Sequence, residues 1–387
     1  MTIQISENSP TAIVVGASLA GMSAAIGLAK IGMKVDLIDK QEPQTRQGAV
    51  IGLAPNGYKA LKEIVGKDSC AMTRLDEIGL PIDGGGLMMP WREVRDILFE
   101  EVKGSANIRF RGGLNVSEVD DCSTNPNVKV KFSNSDLVLE GSVLVGADGV
   151  NSTMRRILGL PCATQVGTTV WRGNVDAVKI GSKLSYLLNK GLVPLHCKEG
   201  ESFVTTYNFN DKIPGMIAWC VSSKKRMAEN CRQPLSLFET MSDRGVFELL
   251  QELFDESSKE SIEKSSQLSV IDFRSIDDWA PSGGWGGKGR VTLIGDSAHA
   301  LRPTNGQGVA MAFEDSVILS RTLRAQICDL HNFSFCDDAL RNFESERLGR
   351  VKVIWGDQWE RAEAGYKSPK SVGPWTDEYR QWLHAGV

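Results

Sequence analysis

The sequence predicts an α/β protein: a mixed, mainly parallel sheet flanked by helices, joined to a second domain built on its own β-sheet. Three observations carry this expectation. The chain opens with an apolar strand, a glycine-containing turn and a helix, followed by another apolar strand that ends on an acid. Strand, glycine and aspartate recur together around Asp148 and again around Asp296, so strands from both ends of the chain are expected in one sheet. Between these points lies an aromatic-rich stretch with strand-like spacing, which is expected to form a second layer. With 387 residues the chain has room for two or three packing units.

Taken in order, residues 12–16 read as a buried strand, 19–31 as a helix and 34–39 as the next strand, a βαβ unit of ordinary length. Helix patterns follow Pro55 and Pro90, where a fixed φ suits the first helical turn. Short strands alternate over 106–145, with Asn134-Ser135 turning the hairpin between Val128–Phe132 and Leu137–Leu139. From about 166 to 225 the pattern is strand-like again, with Trp171, Phe203, Tyr207, Phe209 and Trp219. Residues 234–264 are helical in pattern and end in a charged, solvated run from Asp255 to Lys264. Gly289 to Ile294 makes another buried strand, closed by Gly295-Asp296, and long helices are expected over 306–326 and 337–364. Residues 366–387, with Pro369, Gly373 and Pro374, read as an arm over the body.

Composition narrows the function classes. The 44 basic and 48 acidic side chains leave a formal net charge of -4 with no basic block, which argues against a nucleic-acid partner. The 39 glycines exceed the usual ~7% and point to tight turns or to backbone packed against a ligand. Eight scattered cysteines make no CxxC pair, and the four histidines make no HxxxH or Cys/His cluster. Reduced thiols in a cytoplasmic protein, without a metal site, are therefore expected. Met1 to Pro10 carries no Lys or Arg and is a poor signal peptide. Thr11 to Ala29 carries no charge and is long enough to span a membrane, but Gly16, Ser18 and Gly21 punctuate it. Strand, turn and helix are the better reading, and no integral membrane segment is expected. Nothing in the sequence specifies an oligomeric state.

Three glycine–acid signals carry the chemistry. In Gly16-Ala17-Ser18-Leu19-Ala20-Gly21 the first glycine permits a tight turn and the last lets the helix pack on the strand. The helix N-terminus is then turned to a pyrophosphate, with the Ser18 hydroxyl in place of the usual middle glycine. Asp39 follows near the ~20-residue spacing of an acid that binds ribose hydroxyls. In Gly146-Ala147-Asp148-Gly149 a strand runs into a turn and then a Ser-capped helix with Arg155 and Arg156. Here Asp148 either accepts ribose hydroxyls or belongs to a capped surface turn. Finally, Gly295-Asp296-Ser297-Ala298-His299 precedes Pro303-Thr304-Asn305-Gly306-Gln307-Gly308 and an apolar helix. Asp296 would face ribitol or ribose hydroxyls, and the glycine amides would turn the positive end of a helix toward an anion or a reduced ring.

This combination resembles the single-component, FAD-dependent aromatic hydroxylases, the p-hydroxybenzoate- and salicylate-hydroxylase-like flavoprotein monooxygenases. The likeness covers about residues 11 to 365, with the three motifs in the family's order. Arg46 to Gly57, which includes Pro55-Asn56, looks like the family's flavin-flanking stretch, and Trp91-Arg92 like its FAD-contacting arginine, with Arg95 a close competitor. The resemblance implies a Rossmann-like FAD-binding domain from 11–65, 90–165 and 285–365, and a β-sheet-based substrate domain from 66–89 and 166–284. By position it also implies that Gly16, Ser18, Ala20 and Gly21 hold the FAD pyrophosphate, and Asp39 with Lys40 the adenosine end. Leu114 would meet adenine through its backbone, and Arg46 would lie near the flavin with Arg92 along the ribityl chain. Asp148 belongs to the motif used for both FAD and NAD(P)H, and Asp296 would bind the ribityl hydroxyls. Gly306, Gln307, Gly308, Val309 and Ala310 would run along the isoalloxazine, whose edge Pro303 completes.

The implied mechanism begins with reduction of FAD by NADPH or NADH. O2 then adds to give a flavin C4a-hydroperoxide, whose distal oxygen passes to a small aromatic or polyene substrate by hydroxylation or epoxidation. Arg46, Pro303, Tyr207 and Arg172 are the residues expected at the reacting centre: Tyr207 for a phenol, Arg172 for an anionic substrate. No second GxGxxG is present for a nicotinamide domain. Ser202-Phe203 and Thr304 stand where urate-hydroxylase-like relatives carry an Arg and an Asp, which argues against a purine substrate. His299 reads as structural, behind the Asp296 turn. The same scaffold also suits a flavin oxidase, dehydrogenase or halogenase, although the halogenase Trp-x-Trp-x-Ile-Pro signature is absent. It suits a non-enzymatic redox sensor too, which predicts bound FAD without NAD(P)H-dependent turnover.

Overall fold

The computed structural model describes residues 9–42, 50–81, 85–125, 127–176, 195–196, 202–209, 212–213, 216–223, 267–275, 287–301, 306–327, 333–367 and 377–386. In chain order the first part comprises β1 (Thr11–Val15), α1 (Leu19–Lys30), β2 (Lys34–Ile38), β3 (Val50–Leu53), α2 (Pro55–Val65), α3 (Cys70–Ile78), β4 (Leu80–Pro81) and β5 (Leu87–Pro90). There follow α4 (Trp91–Gly104), β6 (Ile108–Arg111), β7 (Val116–Asp120), β8 (Val128–Phe132), β9 (Ser135–Gly141), β10 (Val143–Gly146) and α5 (Thr153–Ile157). The middle strands are β11 (Thr164–Asp176), β12 (Leu195–His196), β13 (Ser202–Asn208), β14 (Met216–Ser223) and β15 (Gln267–Ser275). The chain then adds β16 (Val291–Leu293), α6 (Asp296–His299), α7 (Gly308–Ala325), α8 (Phe333–Lys367) and α9 (Asp377–Ala385).

The main sheet has the order β16-β10-β1-β2-β6, and all its pairings are parallel. Strand β10 is buried along its whole length and β1 over four of five residues, as parallel strands covered on both faces require. Helices α1 and α7 pack together, with Ser23 Oγ and Ser316 Oγ 2.7 Å apart. Register aligns Val15 with both Ile38 and Gly146, and Gly146 with Leu293, so four strands stop in one row. Gly16, Asp39, Asp148 and Asp296 all leave the sheet at this carboxyl edge, where ligands of open α/β sheets bind.

The middle strands form an antiparallel sheet of order β12-β13-β14-β11-β15, with Trp219 of β14 fully buried. A third sheet, β3-β5-β4, joins residues 80–90 to 50–53, and α3 packs on α4. Residues 66–89, expected in the substrate domain, thus include strands that join β3 of the 11–65 segment. The hairpin β8–β9 turns on Ser133-Asn134, one residue earlier than expected, since Phe132 pairs with Ser135. Asn134 is needed inside the turn: its Nδ2 donates to Gly113 O at 2.7 Å and its Oδ1 accepts from the Asn115 N–H at 3.0 Å.

The last long helix runs beyond the expected 337–364 at both ends. The arm expected over 366–387 contains α9, which packs on α2, with Lys59 Nζ donating to Ala385 O at 2.7 Å. The helical pattern read over 234–264 lies outside the described residues. Cys70, Cys122, Cys162, Cys220 and Cys336 form no disulfide, and no described helix is long and apolar enough to cross a membrane.

Candidate cofactor-binding site

A cleft of about 570 Å³ opens at the carboxyl edge of the parallel sheet. From the first βαβ unit come Gly16, Ser18, Ala20, Asp39 and Lys40, with Leu114 beyond β6. Asp148 follows β10, Asp296 follows β16, and Gly308 and Val309 open α7. Arg172 of β11 reaches the same space from the antiparallel sheet. Gly21, Gln307 and Ala310 are buried behind the lining, and Gly306, Arg92 and Tyr207 are not part of it. Arg46 and Pro303 lie outside the described residues.

The glycine turn is fixed by contacts as well as by dihedrals. Gly16 has φ +107°, and its N–H donates to Ile38 O at 2.7 Å. A Cβ there would sit 2.4 Å from Ala147 O, and one at Gly21 would sit 1.7 Å from Gly16 O. Helix α1 therefore lies directly on its own entry turn. Ser18 holds the N-cap position of α1 but makes no side-chain capping bond, and the first turn has no acid. The opening amides of α1 and the Ser18 hydroxyl thus remain for an anion, which the partial positive charge of a helix N-terminus attracts.

The three aspartates differ in what they do. Asp39 is buried and braces the glycine turn, with Oδ2 accepting the Ala17 N–H at 2.7 Å and Oδ1 the Gln41 N–H at 2.9 Å. Its backbone carbonyl accepts the Leu114 N–H at 3.0 Å, which sets Leu114 beside it. Asp148 is half-buried and caps α5: its Oδ2 takes the Thr153 N–H at 2.6 Å and the Met154 N–H at 3.1 Å, and Ser152 Oγ donates to Oδ1. Both readings of this segment therefore meet in one residue, a helix cap that also lines the cleft.

Asp296 opens α6 and is accessible from the cleft, while protein surrounds it on its other sides. Desolvation pushes its carboxyl above the usual carboxylate range, with the His299 charge opposing. Behind it, Gly295 adopts φ +57° and donates its N–H to Asp315 Oδ2 at 2.9 Å. Ser297 Oγ donates to Gly146 O at 2.7 Å, and Arg155 Nη1 to Ser297 O at 3.1 Å, which ties the turn to β10 and α5. His299 is buried behind the turn with Nε2 2.6 Å from Asp315 Oδ2, away from the cleft lining.

Two features escaped the sequence reading. Trp91 lines the cleft, whereas its neighbour Arg92 is partly exposed with Nε 3.6 Å from Asp96 Oδ2, one turn along α4. Trp91 shares a helical face with the buried Val94 and Leu98, a periodicity that marks 91, not 92, as inward-facing. The other feature is a buried polar network around Glu314 and Asp315, which joins α2, α7, α8 and α9 beneath the cleft.

A dinucleotide fits this site on three counts: the uncapped α1 N-terminus, the Asp296 carboxyl turned into the cleft, and Gly308. A Cβ at Gly308 would meet no atom of the described residues within 4 Å, and Gly308 lines the cleft, so its backbone is open to a ligand there. Fold and cleft together define a dinucleotide-binding α/β protein. Residues 86–348 match the family described as FAD binding domain, and the chain belongs to that family. It is similar to the 3-hydroxybenzoate 6-hydroxylase of Klebsiella oxytoca, 24% identical over 376 residues, 89% of this chain and 86% of that enzyme. Chloroplastic zeaxanthin epoxidase of Oryza sativa subsp. japonica is 31% identical over 251 residues, 63% of this chain and 35% of the epoxidase. The crystal structure of Klebsiella pneumoniae HpxO complexed with FAD and uric acid shares the fold. Its TM-score is 0.73 at 20% identity, covering 100% of this chain and 95% of that one. The chain is thus a flavoprotein oxidoreductase of the FAD-dependent monooxygenase kind, with hydroxylases and an epoxidase among its relatives.

Proposed function

We propose that the protein hydroxylates a small, anionic aromatic substrate, with NADPH or NADH as electron donor and O2 as the oxygen source. The observation that carries this reading is Arg172. It lines the dinucleotide cleft from the antiparallel sheet, so a cationic side chain borders the place where substrate and cofactor would meet. Burial lowers the Arg172 pKa, with Cys220 opposing, yet a guanidinium retains its proton in proteins. A carboxylate or phenolate would pair with a guanidinium at this place through charge-assisted hydrogen bonds. Tyr207 lies on β13 of the same sheet and is not part of the cleft lining, so it has a smaller claim to the substrate.

When bound, FAD supplies the redox chemistry: two electrons from the nicotinamide, with one oxygen atom of O2 passing to the substrate and the other leaving as water. The chain itself binds and orients. The α1 N-terminus and Ser18 would hold the pyrophosphate, Asp39 and Leu114 the adenosine, and Asp296 the ribityl hydroxyls. Gly308 and Val309 would meet the flavin. Asp148 would serve the dinucleotide through the exposed side of its capping carboxylate. Arg46 and Pro303 keep their places at the flavin edge in this reading. Ser202-Phe203 in the middle sheet favours an aromatic acid over a purine. Free thiols agree with a cytoplasmic setting.

The test is to purify the protein, record its visible spectrum, and follow NADPH and NADH oxidation with a panel of aromatic acids, phenols and polyenes under ¹⁸O2. Flavin bands, aromatic-acid-stimulated oxidation and one ¹⁸O atom in the product are expected. Turnover only with polyenes would replace hydroxylation by epoxidation. Tight FAD with no stimulated turnover would move the protein to the sensor class.

A further inference from the structure

Beneath the cleft lies a group of buried polar side chains with no part in the chemistry above. Asn56, the second residue of α2, is fully buried. Its Nδ2 donates to Gln307 Oε1 at 3.0 Å and to Glu314 Oε1 at 2.7 Å. Glu314 is fully buried on α7 and also accepts Arg347 Nη1 at 2.9 Å, Arg350 Nε at 2.6 Å and Arg350 Nη2 at 2.7 Å. Arg350 reaches α9, donating to Leu383 O at 2.7 Å and lying 4.7 Å over the Trp382 ring. The adjacent Asp315 takes Arg347 Nε at 2.8 Å together with the His299 and Gly295 contacts already described. Two carboxylates thus meet two guanidiniums with dense hydrogen bonding, the condition under which buried charge is tolerated.

Gln307 gives this arrangement a purpose. It occupies the N-cap position of α7, yet its side chain makes no capping bond. Its carboxamide oxygen is held by Asn56, which ties the start of α7 to α2 and, through the same Nδ2, to Glu314. The neighbouring Gly308 and Val309 line the cleft, and Gln307 gives the first amides of this 18-residue helix no side-chain cap.

We propose that Asn56 is a positioning residue: by holding the Gln307 carboxamide inward beside Glu314, it keeps the α7 N-terminus turned toward the flavin, with α9 anchoring the arrangement through Arg350. The proposal rests on the reading that Gly308 and Val309, at the start of α7, meet the isoalloxazine. The positive end of the helix then favours electron density on the ring, which links a residue in α2 to the flavin's reduction potential.

The experiment measures FAD dissociation from reconstituted apoprotein and the reduction potential of the bound flavin for wild type, Asn56→Ala, Gln307→Ala and the double variant. Each single variant is expected to weaken FAD binding about tenfold, the scale of one hydrogen bond, and to move the potential to more negative values. Because Asn56 acts through Gln307, the double variant should be no worse than either single one. Losses that multiply to about a hundredfold, or a fall in thermal stability with an unmoved potential, would overturn the proposal. If Asn56→Ala does not fold, Arg350→Gln keeps the test alive: it releases α9 and the outer bonds of Glu314 and should shift affinity and potential in the same directions. Unchanged affinity and potential there would reject the anchored arrangement. Failure of the underlying reading shows separately, as FAD bound normally by wild type but with the same potential after Gly308→Ala, and it would take the proposal with it.

Discussion

At Gly16 two independent demands fall on one residue, a left-handed backbone and a neighbouring carbonyl where a side chain would go. Gly16→Ala is expected to lose roughly 3 kcal/mol of stability and to be isolated without flavin, since strain and overpacking add at this position. Chemical denaturation and the visible spectrum check both halves of that expectation. Asp296 is tested differently, because it lines the cleft and holds up little of the fold. Asp296→Ala should weaken FAD binding by roughly ten- to a hundredfold, the worth of a charged hydrogen-bond acceptor, with a near-normal melting temperature. A full yellow spectrum after dialysis of that variant would remove the ribityl assignment. Residues of this kind were legible in the sequence because their constraints are local: each follows the end of a strand and must turn the chain at once. Asn56 was quoted from the sequence only as part of a stretch, since the partners that give it meaning lie 251 and 258 residues away. Trp91 was missed for another reason, in that its charged neighbour Arg92 drew attention away from it.

Among the elements, the short helix α5 shows how a functional acid can also be a structural one. Asp148 and Ser152 both cap it, Ser152 Oγ accepting the Arg155 N–H at 3.0 Å, and Arg155 then reaches across to the turn that carries Asp296. Ser152→Ala should therefore cost about 1 kcal/mol in stability and also loosen FAD, while the same cap loss at Ser69, on α3, should affect stability alone. Parallel denaturation and flavin-release measurements on the two variants make the comparison. The elements themselves were largely readable from periodicity. Boundaries slipped where a side chain had distant work, as with Asn134 in the β8–β9 turn. The pairing of 80–90 with 50–53 was not readable, because strands this short carry no alternation that names a partner.

At the scale of the whole molecule, the buried charges beneath α7 set its behaviour in acid. Burial alone would raise the Asp315 pKa, but the charges of His299 and Arg347, with hydrogen bonds from His299 and Gly295, hold it below its ordinary 3.8, at about 2. A carboxylate with a depressed folded pKa contributes stability that is fully present above its unfolded value and is lost as pH falls through the folded one. Melting temperature should accordingly drop as pH falls from about 4 toward 2, and Asp315→Asn should flatten that part of the profile at the expense of stability near neutrality. The order of the parallel sheet has a consequence for how the protein is made. Strands β2, β1 and β10 can associate once the first 146 residues have left the ribosome, whereas β16 pairs with β10 only after residue 293. Pairing across so long a separation is slow, and it comes last. The nascent chain thus acquires a pyrophosphate turn before it has any floor for the ring, and capture of an intact cofactor becomes the closing event of synthesis. A message cut short between β10 and β16 would yield chains with four of the five strands and no colour.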